Sequence, residues 1–212
     1  MAYFKNISTV GKLFYPSLLW NIPTNSKIIY LTFDDGPHPE ITPWVLKELR
    51  KHKAKATFFC VGENLTKYPE VYKAVINEGH SCGNHTYNHL NGWKSKTSEY
   101  LENVSKTGNV MLGELGQIGN KKLFRPPYGK IKPAQIKALQ DRDYQIVMWD
   151  VLSADFDFEI SSEQCYRNVV NIAQRGSIVV FHDSLKASEK LKEVLPRVID
   201  YFTEKGFSFK AL

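Results

Sequence analysis

Ile28-Ile29-Tyr30-Leu31-Thr32-Phe33-Asp34-Asp35-Gly36-Pro37-His38-Pro39 is the stretch on which the chain turns: an apolar strand that runs without pause into two adjacent carboxylates and a turn. Side chains alternate along a strand, so Asp34 and Asp35 leave one spot in different directions. Two carboxylates at a buried strand end repel each other unless a positive charge sits between them, and a metal ion is the simplest such charge. A Gly-Pro turn accounts for one acid ahead of Gly36 and Pro37. It does not account for two.

The chain has 212 residues, 42% of them apolar and 13% aromatic, enough to bury a sizeable core and unlike disordered, collagenous or coiled-coil compositions. One domain is expected over residues 27–212, with residues 1–26 as an N-terminal extension packing on it. Lys and Arg outnumber Asp and Glu by 28 to 22. The excess is spread along helical faces such as Lys47–Lys55 and Lys186–Lys192, which reads as a solvated surface. No basic block points to nucleic acid, although a basic face suits an acidic polymer such as a cell wall.

Three cysteines, Cys60, Cys82 and Cys165, with no C-x-x-C spacing, argue against a disulfide framework. Cys60 and Cys165 read as small core residues, and Cys82 as a strand residue rather than a ligand. The apolar run Val10–Ile22 carries Lys12 and Pro16 and falls short of the roughly 18 residues a membrane span needs. Without a small-residue cleavage site it does not read as a leader either, so the sequence by itself points to the cytoplasm.

Seven short apolar stretches alternate with helical patterns. The strands are Ile28–Phe33, Ala56–Val61, His80–Asn84, Leu123–Arg125, Tyr144–Trp149, Ser177–Phe181 and Phe207–Leu212. Thr42-Pro43 has the chemistry of a helix start, Pro69 opens a second helix, and Tyr100 to Leu115 keeps helical period. Pro133 opens a helix, Ser161 and Gln164 form a capping box, and Ser188–Lys205 closes the set with Pro196 as a kink or restart. This alternation predicts an α/β fold with a parallel sheet. Asp34 and Asp35, His85, Arg125, Asp150 and His182 all follow strands, and only a closed sheet brings such positions to one mouth. The expected architecture is a distorted, incomplete (β/α) barrel of seven strands.

His85 and His89 have the i, i+4 spacing that on one helical turn puts both imidazoles on one side, and Asp35 completes two nitrogens and an oxygen. Three ligands leave a position open for water, whose pKa a metal lowers from about 15.7 towards about 7. Asp34 is the candidate base and Arg125 the cation that keeps it ionised. Pro126 and Pro127 have no N–H, so Tyr128 offers the first backbone donor for an oxyanion. His182 is the candidate general acid, with Asp155 as the partner that raises its pKa and fixes its tautomer.

Thr32-Phe33-Asp34-Asp35-Gly36-Pro37, His85-Thr86-Tyr87-Asn88-His89, Arg125-Pro126-Pro127-Tyr128-Gly129 and Phe181-His182-Asp183 resemble the motifs of polysaccharide deacetylases with the NodB homology domain, carbohydrate esterase family 4. The resemblance spans about Lys27 to Leu212. It implies a base at Asp34, zinc or a similar divalent ion on Asp35, His85 and His89, an orienting Arg125, an oxyanion N–H at Tyr128 and an acid at His182 tuned by Asp155. It also implies an acetylated glycan substrate, peptidoglycan or chitin-type, from which N-acetyl or O-acetyl groups are removed. Members of the family are often exported. The chain departs from the family pattern in the pocket region around Trp149: Leu152 stands where the family has an acid, Phe156 where it has Trp, and Val180 where it has Leu.

Other chemistries share parts of this set. Two histidines and a carboxylate also serve mononuclear iron oxygenases, though Asp34, Arg125 and His182 have no role there. A glycosidase would need carboxylates flanking a sugar, which adjacent acids at one strand end do not easily provide. A carbohydrate-binding homologue without activity has no need of base, ligands and acid together.

Overall fold

The structure is a computed structural model that describes residues 7–115 and 122–212. The first six residues of the expected N-terminal extension lie outside the described residues. A short helix, α1 (Ile7–Phe14), precedes the sheet, whose strands are β1 (Ile28–Asp34), β2 (Ala56–Cys60), β3 (Ser81–Asn84), β4 (Lys122–Phe124), β5 (Tyr144–Ile146), β6 (Val151–Leu152), β7 (Ile178–His182) and β8 (Ser208–Phe209). Seven of them run in the order β5-β4-β3-β2-β1-β7-β6, every pair parallel, and β8 pairs with the start of β1 off this path.

The strand expected at Tyr144–Trp149 stops at Ile146, and a second short strand, Val151–Leu152, follows it. The first pairs with β4, Phe124 opposite Ile146, and the second pairs with β7, Leu152 opposite Val180. The chain crosses here between the two ends of the curled sheet, and the N-terminal segment closes the gap. Leu19 donates its N–H to Ile146 O at 2.9 Å and accepts from Met148 N–H at 2.7 Å, while Ile22 N–H reaches Gly176 O at 2.9 Å. The expected last strand is likewise shorter, because only Ser208 and Phe209 find room beside β1.

Period-two alternation divides the two faces of β1. Ile29, Leu31 and Phe33 point out against helices α2 (Ile41–Lys51) and α8 (Ser188–Glu204), through Val45, Leu49, Leu191, Val194 and Leu195. Tyr30 points inward with Phe59, Leu123, Val147 and Ile178. Thr32 and Asp34 share that inward face by alternation, so the interior turns polar as β1 approaches the mouth.

Between these strands lie α3 (Gly62–Lys67), which the sequence did not announce, α4 (Pro69–Asn77), α5 (Thr97–Leu115), α6 (Pro133–Gln140) and α7 (Ser162–Val170). Ser161 caps α7 by accepting from Gln164 N–H at 3.2 Å, but the Gln164 amide turns to Asn168 and leaves the expected box half closed. Pro196 sits inside an unbroken α8. No helix among the described residues is long and apolar enough to cross a membrane.

Candidate active site

β1 ends at Asp34, and Asp35 takes a left-handed backbone conformation (φ 78°) that swings its side chain out of strand alternation. Both acids therefore line one cleft of about 560 Å³, each facing different partners. Asp35 Oδ1 lies 3.2 Å from His89 Nε2 and 3.7 Å from His85 Nε2. It is buried and makes no well-directed hydrogen bond. Asn64 Nδ2 holds the turn from behind by donating to Asp35 O at 2.8 Å.

The two histidines reach this point by a route other than the expected helical turn. Residues 85–91 are irregular, with Thr86 at φ 64° and His89 at φ 57°. Side chains of neighbouring elements hold that shape: Asn84 Oδ1 accepts from Thr86 N–H at 2.9 Å, Asn103 Oδ1 from Tyr87 N–H at 2.6 Å, and Thr86 Oγ1 from Leu90 N–H at 2.8 Å. His85 Nδ1–H donates to Arg125 O at 2.8 Å and His89 Nδ1 meets Tyr128 Oη at 3.0 Å, which leaves both Nε2 atoms turned to Asp35. Burial, the largest influence, pushes the His85 pKa down to about 4 and keeps its ring neutral. Burial would raise the Asp35 pKa, but His89, His182 and His85 together hold it well below the usual carboxylate range. Two ring nitrogens and one carboxylate, whose own Oδ1 is buried without a hydrogen-bond partner, lie close enough together to fit a divalent ion.

Arg125 is fully buried. Its Nη1 donates to Asp34 Oδ1 at 2.6 Å and to Thr32 Oγ1 at 2.7 Å, Nη2 to Met148 O at 3.0 Å and Nε to Val147 O at 3.3 Å. The guanidinium lies 4.1 Å from the Phe59 ring centroid. Burial lowers its pKa and Asp34 opposes that. The inward face of β1 thus delivers Asp34 directly to a cation fixed by four groups.

On the other flank, His182 ends β7. Its Nδ1 lies 2.8 Å from Asp155 Oδ1, and Asp155 Oδ2 accepts the His182 backbone N–H at 2.8 Å. Burial would depress the His182 pKa, but the fully buried Asp155 carboxylate outweighs it and drives the value up to about 9. The ring edge meets Phe156 at 4.9 Å between centroids. Trp149, Leu152, Phe156 and Val180 form the apolar wall of the cleft. Tyr128 lines it too, at φ 60°, with no protein acceptor for its N–H among the described residues.

The sequence profile of the polysaccharide deacetylase family matches residues 21–147. The chain belongs to the polysaccharide deacetylase family. It is 37% identical over 194 residues to a peptidoglycan-N-acetylglucosamine deacetylase of Bacillus cereus, covering 90% of this chain and 68% of that one. A chitooligosaccharide deacetylase of Azorhizobium caulinodans is 33% identical over 168 residues, 79% of each chain. Among solved structures, the Bc1960 peptidoglycan N-acetylglucosamine deacetylase in complex with 4-naphthalen-1-yl-N-oxidanyl-benzamide superposes with a TM-score of 0.87 at 33% identity, covering 95% of this chain and 94% of that one. The deacetylase is therefore a hydrolase of carbon–nitrogen bonds in an acetylated polysaccharide, and an iron oxygenase is set aside.

Asp150 does not sit at the mouth of this deacetylase. Its carboxylate accepts from Ser177 Oγ at 2.9 Å and Ile178 N–H at 2.8 Å, at the opening residues of β7. Thr42 does not cap α2; it lies within the helix, and its hydroxyl donates to Asp183 Oδ2 at 2.5 Å. Asp183, quoted in a motif but given no role by the sequence, is fully buried and also accepts Gly36 N–H at 3.1 Å. A Cβ on Gly36 would come 2.1 Å from Asp183 Oδ2, so glycine lets this carboxylate clamp the turn that aims Asp35. Burial raises the Asp183 pKa to about 7. Cys60 and Cys165 are buried as expected, and Cys82 stands apart from the three ligands.

Proposed function

We propose that this polysaccharide deacetylase hydrolyses the N-acetyl groups of amino sugars in a glycan of the peptidoglycan or chitin type, with Asp34 as base and His182 as acid. One observation carries the reading. The ligand atoms of Asp35, His85 and His89 gather between a carboxylate held by a buried cation and an imidazole held by a buried carboxylate. Asp35, His85 and His89 would hold a divalent ion, zinc by the chemistry of the donor set. The ion when bound supplies a Lewis acid for the acetyl carbonyl and a more acidic water.

Asp34, ion-paired with Arg125, takes the proton of the attacking water as its oxygen adds to the acetyl carbon. Tyr128 N–H, with no protein acceptor, is free to donate to the oxygen that gains charge. His182, protonated through its pairing with Asp155, gives its Nε2 proton to the departing nitrogen as the C–N bond breaks. Acetate and a free amine result. Trp149, Phe156 and Val180 enclose the acetyl methyl. The N-hydroxy amide on the related deacetylase offers two adjacent oxygens suited to a divalent ion, which supports the same reading here.

Acetate release from a panel of N- and O-acetylated oligosaccharides, with zinc supplied, tests this. Asp34→Asn is expected to keep one zinc per chain and lose turnover; Asp35→Ala and His89→Ala are expected to lose the metal. Near wild-type turnover in Asp34→Asn, or unchanged zinc in either ligand variant, overturns the assignment.

A further inference from the structure

Beyond His89, the rim of the cleft holds a large aromatic ring in water. Trp93 is 60% exposed, yet it is fixed. Its Nε1–H donates to Ile131 O at 3.1 Å and its backbone N–H to Asn91 Oδ1 at 3.0 Å. Beneath it, the fully buried Gln135 donates to Gly92 O at 3.0 Å and accepts Lys132 N–H at 2.9 Å, while Lys132 Nζ reaches Ser95 O at 2.6 Å. A Cβ on Gly92 would come 2.5 Å from Lys130 O, so the turn docks as closely as backbone allows. Ordering these groups costs conformational entropy and the exposed indole returns little apolar burial. A rigid aromatic face held in solvent is what stacking on a ligand requires.

Lys130 stands beside that face, its Nζ 5.5 Å from the ring centroid, and it also lines the cleft with His89 and Tyr128. Among the described residues no carboxylate pairs with it. The same combination recurs on the other flank. Phe158 is 72% exposed, with Lys186 Nζ and Lys190 Nζ each 5.4 Å from its centroid, and Lys186 lines the cleft. Trp93 and Lys130 follow β3 and β4, to one side of β1; Phe158 and Lys186 follow β6 and β7, to the other. Asp35, at the end of β1, lies between the two pairs in strand order, and it lines one cleft with His85, His89, Lys130 and Lys186.

We propose that Trp93 with Lys130, and Phe158 with Lys186, are subsites for the flanking sugars of an acidic glycan strand, and that the enzyme selects carboxylate-bearing N-acetylated glycans over neutral ones. The aromatic faces accept the C–H faces of sugars, and the two lysines, neither of which pairs with a carboxylate among the described residues, accept the carboxylates. The net charge of +6 draws such a strand in. This inference rests on the deacetylase reading above.

The test compares a peptidoglycan-derived oligosaccharide with free lactyl carboxylates and a neutral chitooligosaccharide of equal length, by acetate release and by calorimetric binding to zinc-loaded Asp34→Asn protein. Wild type is expected to show a KM about tenfold lower for the acidic oligomer at low salt, an advantage that shrinks steeply by about 0.5 M salt. Lys130→Gln and Lys186→Gln should each remove about threefold of it with kcat little changed. Trp93→Ala should raise KM about fivefold for both oligomers. Turnover with equal KM for acidic and neutral oligomers, or a ratio untouched by both lysine variants, overturns the subsites and leaves the deacetylase reading intact. Preferential, Lys130-dependent binding of the acidic oligomer without turnover upholds the subsites and overturns the catalytic assignment.

Discussion

Arg125 accepts a hydrogen bond from His85 Nδ1 on its backbone carbonyl at 2.8 Å, while its own guanidinium holds Asp34 at 2.6 Å. One residue thus fixes a metal-ligand candidate through its backbone and the neighbouring carboxylate through its side chain. The two acids of the opening motif are adjacent in sequence but separated in environment: Asp34 faces a cation inside the barrel, and Asp35 faces two ring nitrogens.

Because Arg125 and Asp34 are both buried, removing one leaves the other's charge without a counter-charge. Arg125→Met is expected to destabilise the fold by about 3 kcal/mol or more, and Arg125→Met/Asp34→Asn to recover part of that loss without recovering activity. Urea unfolding of the wild type and the two variants measures it. A single-variant loss below about 1 kcal/mol would mean that solvent or a neighbouring group replaces the guanidinium.

In the mechanism proposed above, His182 and Asp155 set the alkaline limit. The raised His182 pKa, about 9, keeps the acid protonated at neutral pH. Asp155→Asn removes the carboxylate charge that raises it, so the alkaline limb of kcat/KM should move to lower pH by about one to two units. An unmoved limb would assign that limb to another group.

Much of this site was legible because strand ends are legible. An apolar run that stops at an acid, a histidine or an arginine marks a carboxyl end, and a curled parallel sheet gathers those ends. Asp150 misled the same reasoning, because the chain crosses from β4 to β7 around it, a crossing that depends on Leu19 pairing with Val147 far along the chain. The i, i+4 spacing of His85 and His89 suggests one helical turn, and nothing local announces the positive φ at Thr86 and His89; side chains of Asn84 and Asn103 hold the loop that has it. Asp183 was missed for a related reason. Its partners, Gly36 and Thr42, are remote in sequence and meet it only once β1 and β7 pair.

His80 supplies a stability prediction away from the chemistry. Its Nδ1 accepts Ala56 N–H at 3.1 Å, which only the neutral ring can do. Burial, then the Lys55 charge, lowers its pKa to about 4 from the ordinary 6.5. The folded state therefore binds this proton less readily than the unfolded chain. The contribution is whole above pH 6.5 and is lost as pH falls towards 4. His80→Asn keeps an acceptor and cannot titrate, so its unfolding free energy should fall less steeply than wild type between pH 6.5 and pH 4. Parallel curves would show that His80 does not carry the slope.

Phe156 and Val180 govern the last prediction, on acyl selectivity. Both line the cleft, Phe156 edge-on to His182 and Val180 beside Leu152 across the β6–β7 pair. By family resemblance larger side chains, Trp and Leu, stand at these two positions, and the smaller pair leaves apolar volume that either collapses or accepts a larger acyl group. One methylene in such a pocket changes discrimination by only about 1 to 3 kcal/mol, so selectivity relaxes and does not invert. N-propionyl sugars are therefore expected to be deacylated closer to the N-acetyl rate than by a relative with the Trp and Leu pair. Phe156→Trp should restore discrimination by refilling the space next to His182. The ratio of kcat/KM for N-acetyl and N-propionyl substrates, in wild type and Phe156→Trp, is the measurement. An unchanged ratio would mean that Trp149 and Leu152 have already closed over the missing volume.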